Sequence, residues 1–378
     1  MVGAGRFAGL LLEAAREVPG LRPVAVADRD PARADALAAA HGLEACGTDR
    51  LLADPEIAVL AVATPPASHA ELTLAALRAG RHVFCEKPLA TRLEDATDVL
   101  AAAAAPGAPR LTVDHVLRRN PLYALLGRLR ETLLGPPRRF ALENLASDEH
   151  LGPDHWFWDR EVGGGILVEH GVHFFDACAW LLGTQPEVVQ ALEVARPDGR
   201  TDTVLATAAH PGGATASYAH SFARPERAES QWTTLDWGGA ASGRLYGWIP
   251  VELELDVHTD GAGLGVVQAL ATNQQAALAV AGYQPSGAER ISLELASRSQ
   301  PGRWDLTLRA TLGGQVAKGR VYRESVRAGL ADLTEAIGAG RPPAVTAADA
   351  WTSLAAALAG QQAAATGMAT RPAGLPRP

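Results

Sequence analysis

Of the 34 basic residues in this 378-residue chain only Lys87 and Lys318 are lysines; the other 32 are arginines. A lysine kept inside Cys85-Glu86-Lys87-Pro88, where a short β-rich run ends, therefore asks for a chemical reason. An ammonium can give up its proton when partly desolvated, which a guanidinium effectively cannot. Lys87 is the first candidate for proton handling. A second titratable group, Glu169, His170 and His173, follows the triple glycine Gly163-Gly164-Gly165. Glu169 and His173 are four residues apart and share a helix face, whereas His170 points elsewhere by about 100° and is a substrate-binding candidate at the cleft wall. A neutral imidazole near pH 7 suits removal of a hydroxyl proton. No metal is expected, because only two of these three side chains converge.

A phosphate-binding pattern stands at the start of the chain. Gly3-Ala4-Gly5-Arg6-Phe7-Ala8 has GxGxxA spacing at the mouth of a helix. Gly3 permits the tight turn, Gly5 lets the backbone approach a pyrophosphate, and Ala8 lets helix and strand pack closely. Gly3, Gly5, Arg6 and Phe7 are accordingly cofactor-binding candidates. Asp28 ends the next strand, near the offset of about 20 residues expected for a ribose-binding acid. Its charge favours NAD, while Arg29 beside it offers the alternative of holding the 2′-phosphate of NADP. Only Met1 and Val2 precede the loop, where a strand of about 5 residues is usual. Either the natural start lies upstream, as we expect, or the sheet accepts a stub.

The elements that must hold these groups alternate in the first third of the chain. Strands are expected at Leu21–Ala27, Ile57–Ala63, His82–Cys85 and Leu111–Val116. Between them, Asp30-Pro31 opens a helix that Gly42 ends, and Ser68–Glu71 and Thr91–Glu94 read as capping boxes. Strict alternation means a doubly wound parallel sheet, the Rossmann form of the α/β class, over residues 1–118. Beyond residue 120 one helix spans about Gly165–Leu182. Strand-like runs follow, parted by Asp198-Gly199, Pro211-Gly212-Gly213 and Gly238-Gly239, so a large open, mostly antiparallel sheet is expected. Helices return from Val321, interrupted at Arg341-Pro342-Pro343. Residues 119–366 thus read as an α+β substrate and oligomerisation domain, and residues 367–378 as a loose tail.

Composition narrows the function classes. A net charge of −8 with scattered arginines offers no footprint for nucleic acid or an anionic membrane surface. No apolar run approaches the ~20 residues of a membrane span, and Glu13 and Arg16 interrupt the apolar opening that would otherwise suggest a signal peptide. A cytoplasmic location is expected. Cys46, Cys85 and Cys178 lie far apart and read as buried hydrophobes, not as a disulfide framework or zinc site.

The segments Thr64-Pro65-Pro66-Ala67-Ser68-His69 and Gly80-Arg-His-Val-Phe-Cys-Glu-Lys-Pro88 resemble the Gfo/Idh/MocA oxidoreductase family. The likeness continues through Arg118-Arg-Asn-Pro121, Trp156-Phe-Trp-Asp159, Gly163 to Asp176, and Arg341–Ala350; residues 195–320 match only in pattern. The resemblance implies that Thr64, Pro65, His69 and Glu86 line a cofactor cleft and that the Lys87–Pro88 peptide is cis. It also implies a homo-oligomer, dimer or tetramer, formed through the open sheet. Glu169 stands where the family usually has aspartate, and His173 matches its histidine, so Lys87, Glu169 and His173 form the expected catalytic set. His173 would act as base, Lys87 would stabilise the developing alkoxide, and Glu169 would orient the lysine or a substrate hydroxyl.

Trp156 and Trp158 either close over a substrate or pack between domains. Arg118, and His115 before it, either reach substrate groups or join an interdomain salt bridge. The expected function is NAD(P)-dependent oxidation of a secondary alcohol on a sugar, cyclitol or related polyol. The alternatives are a redox-neutral sugar-modifying enzyme that retains NAD, and a non-catalytic cofactor-binding regulator.

Overall fold

The computed structural model of the chain describes residues 1–280, 282–314 and 317–376. Its first part runs α1 (Arg6–Arg16), β1 (Ala25–Val26), α2 (Pro31–His41), β2 (Glu44–Ala45), α3 (Thr48–Ala53), β3 (Val59–Val62), α4 (His69–Arg78), β4 (His82–Cys85), α5 (Leu93–Ala104) and β5 (Leu111–Val113). β1 pairs with β2, and β3, β4 and β5 pair in that order, all parallel. Val2 joins the two groups by bridging Ala27 on one side and Val62 on the other. A two-residue stub therefore occupies the centre of the sheet, where the strand order reverses and where such sheets bind ligands beyond their carboxyl ends. The slot behind Met1 is lined by Leu12, Val24, Ile57 and Leu330.

Local signals explain some element ends and mislead at others. The Asp30 side chain accepts from Ala32 N at 3.0 Å, with Pro31 next, and Gly42 closes α2 in the left-handed conformation. The strands are shorter than expected: Leu21–Ala27 yields only Ala25–Val26, and the chain after β5 tightens into a 3₁₀ turn at Val116–Arg119. Neither expected capping box forms. Ser68 instead donates back to Thr64 Oγ1 (2.7 Å) and Pro65 O (2.9 Å), because Pro66–Ser68 is itself a 3₁₀ turn. Thr91 lies one residue too early, and Arg92 begins α5 without a side-chain cap.

The second part contains α6 (Pro121–Leu129), β6 (Arg139–Ser147), α7 (Arg160–Gly163), α8 (Val172–Leu182) and β7 (Val188–Ala195). After it come β8 (Thr201–Ala209), β9 (Thr215–Arg224), β10 (Ser230–Asp236), β11 (Ala241–Tyr246), β12 (Glu252–Thr259), α9 (Gly261–Thr272), α10 (Gln274–Ala277), β13 (Glu289–Gln300) and β14 (Arg303–Leu312). Nine strands form one sheet in the order β13-β14-β12-β11-β10-β6-β9-β8-β7, antiparallel except between β6 and β9. Its inner face alternates in sequence as a half-buried sheet must; Leu253, Leu255 and Val257 of β12 are buried. Phe175 of α8 stacks on Tyr218 of β9 at 4.4 Å between ring centres, which fixes α8 against the sheet.

The last helices, α11 (Lys318–Ala339) and α12 (Ala347–Thr366), tie the two parts together. α11 lies along α1, and α12 lies against both α5 and α8. A capping box does form here, at Thr346 and Asp349. The expected loose tail is corrected at its start: Thr370 and Val189 exchange two backbone hydrogen bonds of 2.8 Å, which anchors the chain to the edge strand β7.

Candidate active site

The glycine turn is shaped by what surrounds it. Gly3 has φ +104°, and a Cβ there would lie 2.3 Å from the Ala63 carbonyl oxygen, so no other residue fits. A Cβ on Gly5 would meet nothing within 4 Å, leaving backbone open to an approaching group. Asp28 accepts from Ala4 N at 2.7 Å and from Asp30 N at 2.9 Å, holding the turn beside the end of β1. Arg6 and Arg29 are exposed, and Phe7 rests 6.0 Å from the Tyr322 ring. An open helix mouth, an exposed guanidinium and an acid at the next strand end suit a dinucleotide.

The Lys87–Pro88 peptide is cis, as the resemblance implies. Lys87 Nζ donates to Glu169 Oε1 at 2.6 Å and to the Glu169 carbonyl at 2.7 Å, spanning 82 residues. Both side chains are mostly buried, at 13% and 14% exposure, so the pair is not loosened by water. An ammonium has three protons, and two are used. The third remains for a ligand.

Glu169 reaches Lys87 from a widened, π-type turn at Leu167–Gly171 that runs into α8. Such turns are frequent at functional sites. The glycines ahead of it are needed: Gly164 (φ +82°) with a Cβ would strike Val168 Cγ1 at 2.5 Å, and Gly165 (φ +80°) lies against Gln361.

His173, one turn on, is 4% exposed, and its Nδ1 has no partner. Burial, then the Lys87 charge, pushes its pKa well below the usual histidine value, so the ring is neutral. Its ring stands 6.3 Å from His115, 6.1 Å from His170 and 5.8 Å from Trp248. His170 also stands 5.5 Å from His220, and burial with nearby lysines lowers its pKa to about 3.

Beneath Lys87 lie two carboxyl groups. Burial raises Glu86 well above the usual carboxylate range, with Asp114 adding to the shift, and burial raises Asp114 to about 6. Both shifts move the balance toward the protonated form in a place where two like charges would otherwise meet.

Several expected site residues act elsewhere. Arg118 grips Asp176 through two hydrogen bonds (2.8 and 2.6 Å) and reaches Asp349 at 3.1 Å. Its guanidinium is spent on linking α8 to α12, the interdomain salt bridge, in place of binding a substrate. His69 does not present its ring to a cleft: it is 1% exposed, with Nδ1 2.6 Å from Pro88 O and Nε2 2.7 Å from Thr64 O. It braces the turn at Thr64-Pro65 against the cis turn at Pro88. Trp158 is likewise drawn away, donating to Leu151 O at 3.3 Å with Arg196 and Arg200 at 5.4 and 5.3 Å from its ring. Trp156 packs on His155 at 5.1 Å between ring centres, and burial lowers the His155 pKa, with Glu169 opposing the shift. His115 is buried, with Nε2 3.3 Å from Ser353 Oγ.

Four site residues escaped sequence reasoning: Asp114, His220, Trp248 and Tyr322. Trp248 and Tyr322 rings lie 5.2 Å apart, and together they wall the histidines toward α11. No local motif marks them, since Trp248 sits in the β11–β12 connection and Tyr322 inside α11. Among the described residues no cluster of His, Cys, Asp or Glu could hold a metal ion, and no helix is long and apolar enough to cross a membrane.

Residues 1–115 match the family model described as "Oxidoreductase family, NAD-binding Rossmann fold", and residues 127–236 match the GFO/IDH/MocA C-terminal domain. The chain is 31% identical over 198 residues to 1,5-anhydro-D-fructose reductase of Ensifer adhaerens, covering 51% of this chain and 58% of that protein. It is 28% identical over 272 residues to D-apiose dehydrogenase of Paraburkholderia graminis, covering 68% of each. In the first of these the chain spans little more than half of the relative's length. Among solved structures, a putative myo-inositol dehydrogenase of Sinorhizobium meliloti 1021 superposes with a TM-score of 0.70 at 22% identity, covering 98% of both chains. A levoglucosan dehydrogenase solved with NADH and levoglucosan gives a TM-score of 0.76 at 21% identity, again covering 98% of both. These two share the fold.

Proposed function

Because the chain belongs to the Gfo/Idh/MocA oxidoreductase family, we propose that it is an NAD-dependent dehydrogenase acting reversibly on a secondary alcohol of a sugar, cyclitol or related polyol. One observation carries this reading: Lys87 is held 2.6 Å from Glu169 in the same cleft as a buried, neutral His173. Gly3, Gly5, Arg6 and Asp28 would hold NAD, with Thr64 and Pro65 beside them. When bound, NAD supplies the hydride acceptor.

His173 takes the hydroxyl proton, which a neutral imidazole can do and an imidazolium cannot. Lys87 donates its third N–H to the same oxygen as negative charge builds there. Glu169 holds that ammonium through both its carboxylate and its carbonyl, so the donor is oriented before substrate arrives. Trp248 and Tyr322 offer aromatic faces to the C–H surface of a polyol and keep water from the reacting oxygen. The test is NAD reduction, followed at 340 nm, across a panel of polyols and sugars, with NADP in parallel. NADH release in step with product excludes the redox-neutral alternative, and a panel without turnover would sink the reading.

The organisation belongs to the same proposal. Residues 1–118 hold the cofactor and residues 119–366 form the substrate domain, in the cytoplasm, where the three free cysteines stay reduced. Copies associate through the outer sheet face, where Leu192 (59% exposed) pairs with Leu205 (46%) across β7 and β8. Leu192→Glu with Leu205→Glu should lower the mass measured by light scattering; an unchanged mass removes this interface.

A further inference from the structure

Lys318 is the other lysine, and the mechanism above leaves it unused. It opens α11, half-buried, and has no hydrogen bond or ion pair among the described residues. Its neighbours on the helix are all engaged. Arg320 pairs with Glu289 at 3.1 Å, Arg323 with Glu17 at 2.8 Å, and Arg327 with Glu324 at 3.0 Å. Arginine thus does the structural pairing on α11, and the single lysine is left free. A cation so placed is available to a ligand of opposite charge.

Its position points the same way. Lys318 and Tyr322 are four residues apart on α11 and share a face. Tyr322 touches Trp248 at 5.2 Å, and Trp248 touches His170 and His173 at 5.8 Å each. His170 keeps a buried Nε2 without a partner. The charges of Lys87 and Lys318 both act on that imidazole, after burial, to hold it neutral. A neutral His170 with a free nitrogen can donate to an anion as Lys318 balances its charge.

We propose that Lys318, His170 and Trp248 form an anion subsite on the α11 side of the substrate cleft, so that the polyol oxidised at Lys87 and His173 carries a carboxylate or a phosphate. The inference rests on the dehydrogenase reading and names its substrate class. Neutral sugars and cyclitols leave the Lys318 charge uncompensated and bind less well. An acidic polyol is held at both ends, by Lys87 at its reacting hydroxyl and by Lys318 at its anionic substituent.

The experiment compares glucose, glucuronate and glucose 6-phosphate, and inositol with inositol 1-phosphate, as substrates of the wild-type, Lys318→Gln and Lys318→Arg proteins. The wild type should favour an anionic member by about tenfold or more in kcat/KM, as a charge-assisted hydrogen bond provides. Which anion is favoured separates carboxylate from phosphate. Lys318→Gln should collapse that ratio toward one through KM, and Lys318→Arg should restore most of it. The KM for NAD should stay within about twofold in both, since a tenfold change would mean loss of one charge-assisted contact to the cofactor. No preference in the wild type, or a rise in the NAD KM of Lys318→Gln, overturns the subsite. Calorimetric titration of the NAD-loaded Lys87→Ala protein with glucuronate and glucose 6-phosphate separates this from the catalytic reading. Binding that Lys318→Gln abolishes upholds the subsite even where turnover fails, and no binding of either anion sinks it.

Discussion

On the cofactor side of the cleft, Gly3, Gly5 and Asp28 lie within the first 28 residues and offer backbone N–H groups and one carboxylate. Across the cleft, His115, His170, His173, His220, Trp248 and Tyr322 come from five separate segments and offer side chains in a cluster of uncharged rings. The first wall works by conformation, so a single methyl group can close it. The second works by side-chain chemistry, so losing one ring opens space without breaking the fold. Lys87 and Glu169 are the seam between them.

That contrast makes the seam the most sensitive place. Lys87→Arg should lower kcat by about a hundredfold to a thousandfold, because a planar guanidinium keeps the charge but cannot donate to Glu169 and aim a further N–H at that oxygen as the compact ammonium does. NAD affinity, read by quenching of tryptophan fluorescence, should change by less than about twofold, since the lost contact is to the reacting oxygen as its charge develops and not to the cofactor. Equal turnover in the two proteins would erase the distinction between seam and wall.

Gly3→Ala tests the conformational wall. A Cβ 2.3 Å from Ala63 O must displace backbone, so stability should fall by about 2–4 kcal/mol and NAD binding with it. Urea unfolding measures the loss. Trp248→Ala tests the other wall, and there the KM for the polyol should rise about tenfold while the midpoint of unfolding moves little, given an incompletely buried ring. A Trp248→Ala protein that loses NAD affinity instead would place the ring on the wrong side.

The smallest effect is a matter of pH. Glu86 and Asp114 have folded pKa values above their unfolded ones, so the native state holds extra protons. Their contribution to stability is complete below the unfolded carboxyl range and is lost as pH rises through about 6 and beyond. Glu86→Gln removes one of the two charges. It should raise Tm by about 2–4 °C at pH 8 and by under about 1 °C at pH 4.5, measured by calorimetry. A gain independent of pH would mean that the two carboxyl groups do not interact.

How far the sequence reached depends on how local each cause is. Gly3, the Asp30 cap and the rarity of Lys87 each act through a few neighbouring atoms, and all could be seen before any fold was known. Arg118 and Trp158 could not be assigned, because each had two physically sound fates. Only the distance to Asp176, or to Arg196 and Arg200, chose between them. Ser68 shows the same limit at short range: its spacing to Glu71 suits a capping box, yet the Pro65-Pro66 turn turns its hydroxyl back toward Thr64.

The sequence by itself determined the alternating α/β rhythm, the tight glycine turn, the acid after β1 and the rare lysine at the end of β4. Each is a property of residue type and spacing, which act over one turn or one strand. Tertiary structure alone decided that Lys87 meets Glu169 across 82 residues, that α11 brings Tyr322 against Trp248, and that Trp248 packs on His170 and His173. Those contacts depend on how sheets and helices stack, and no spacing along the chain encodes a distance between segments that meet only in the folded core.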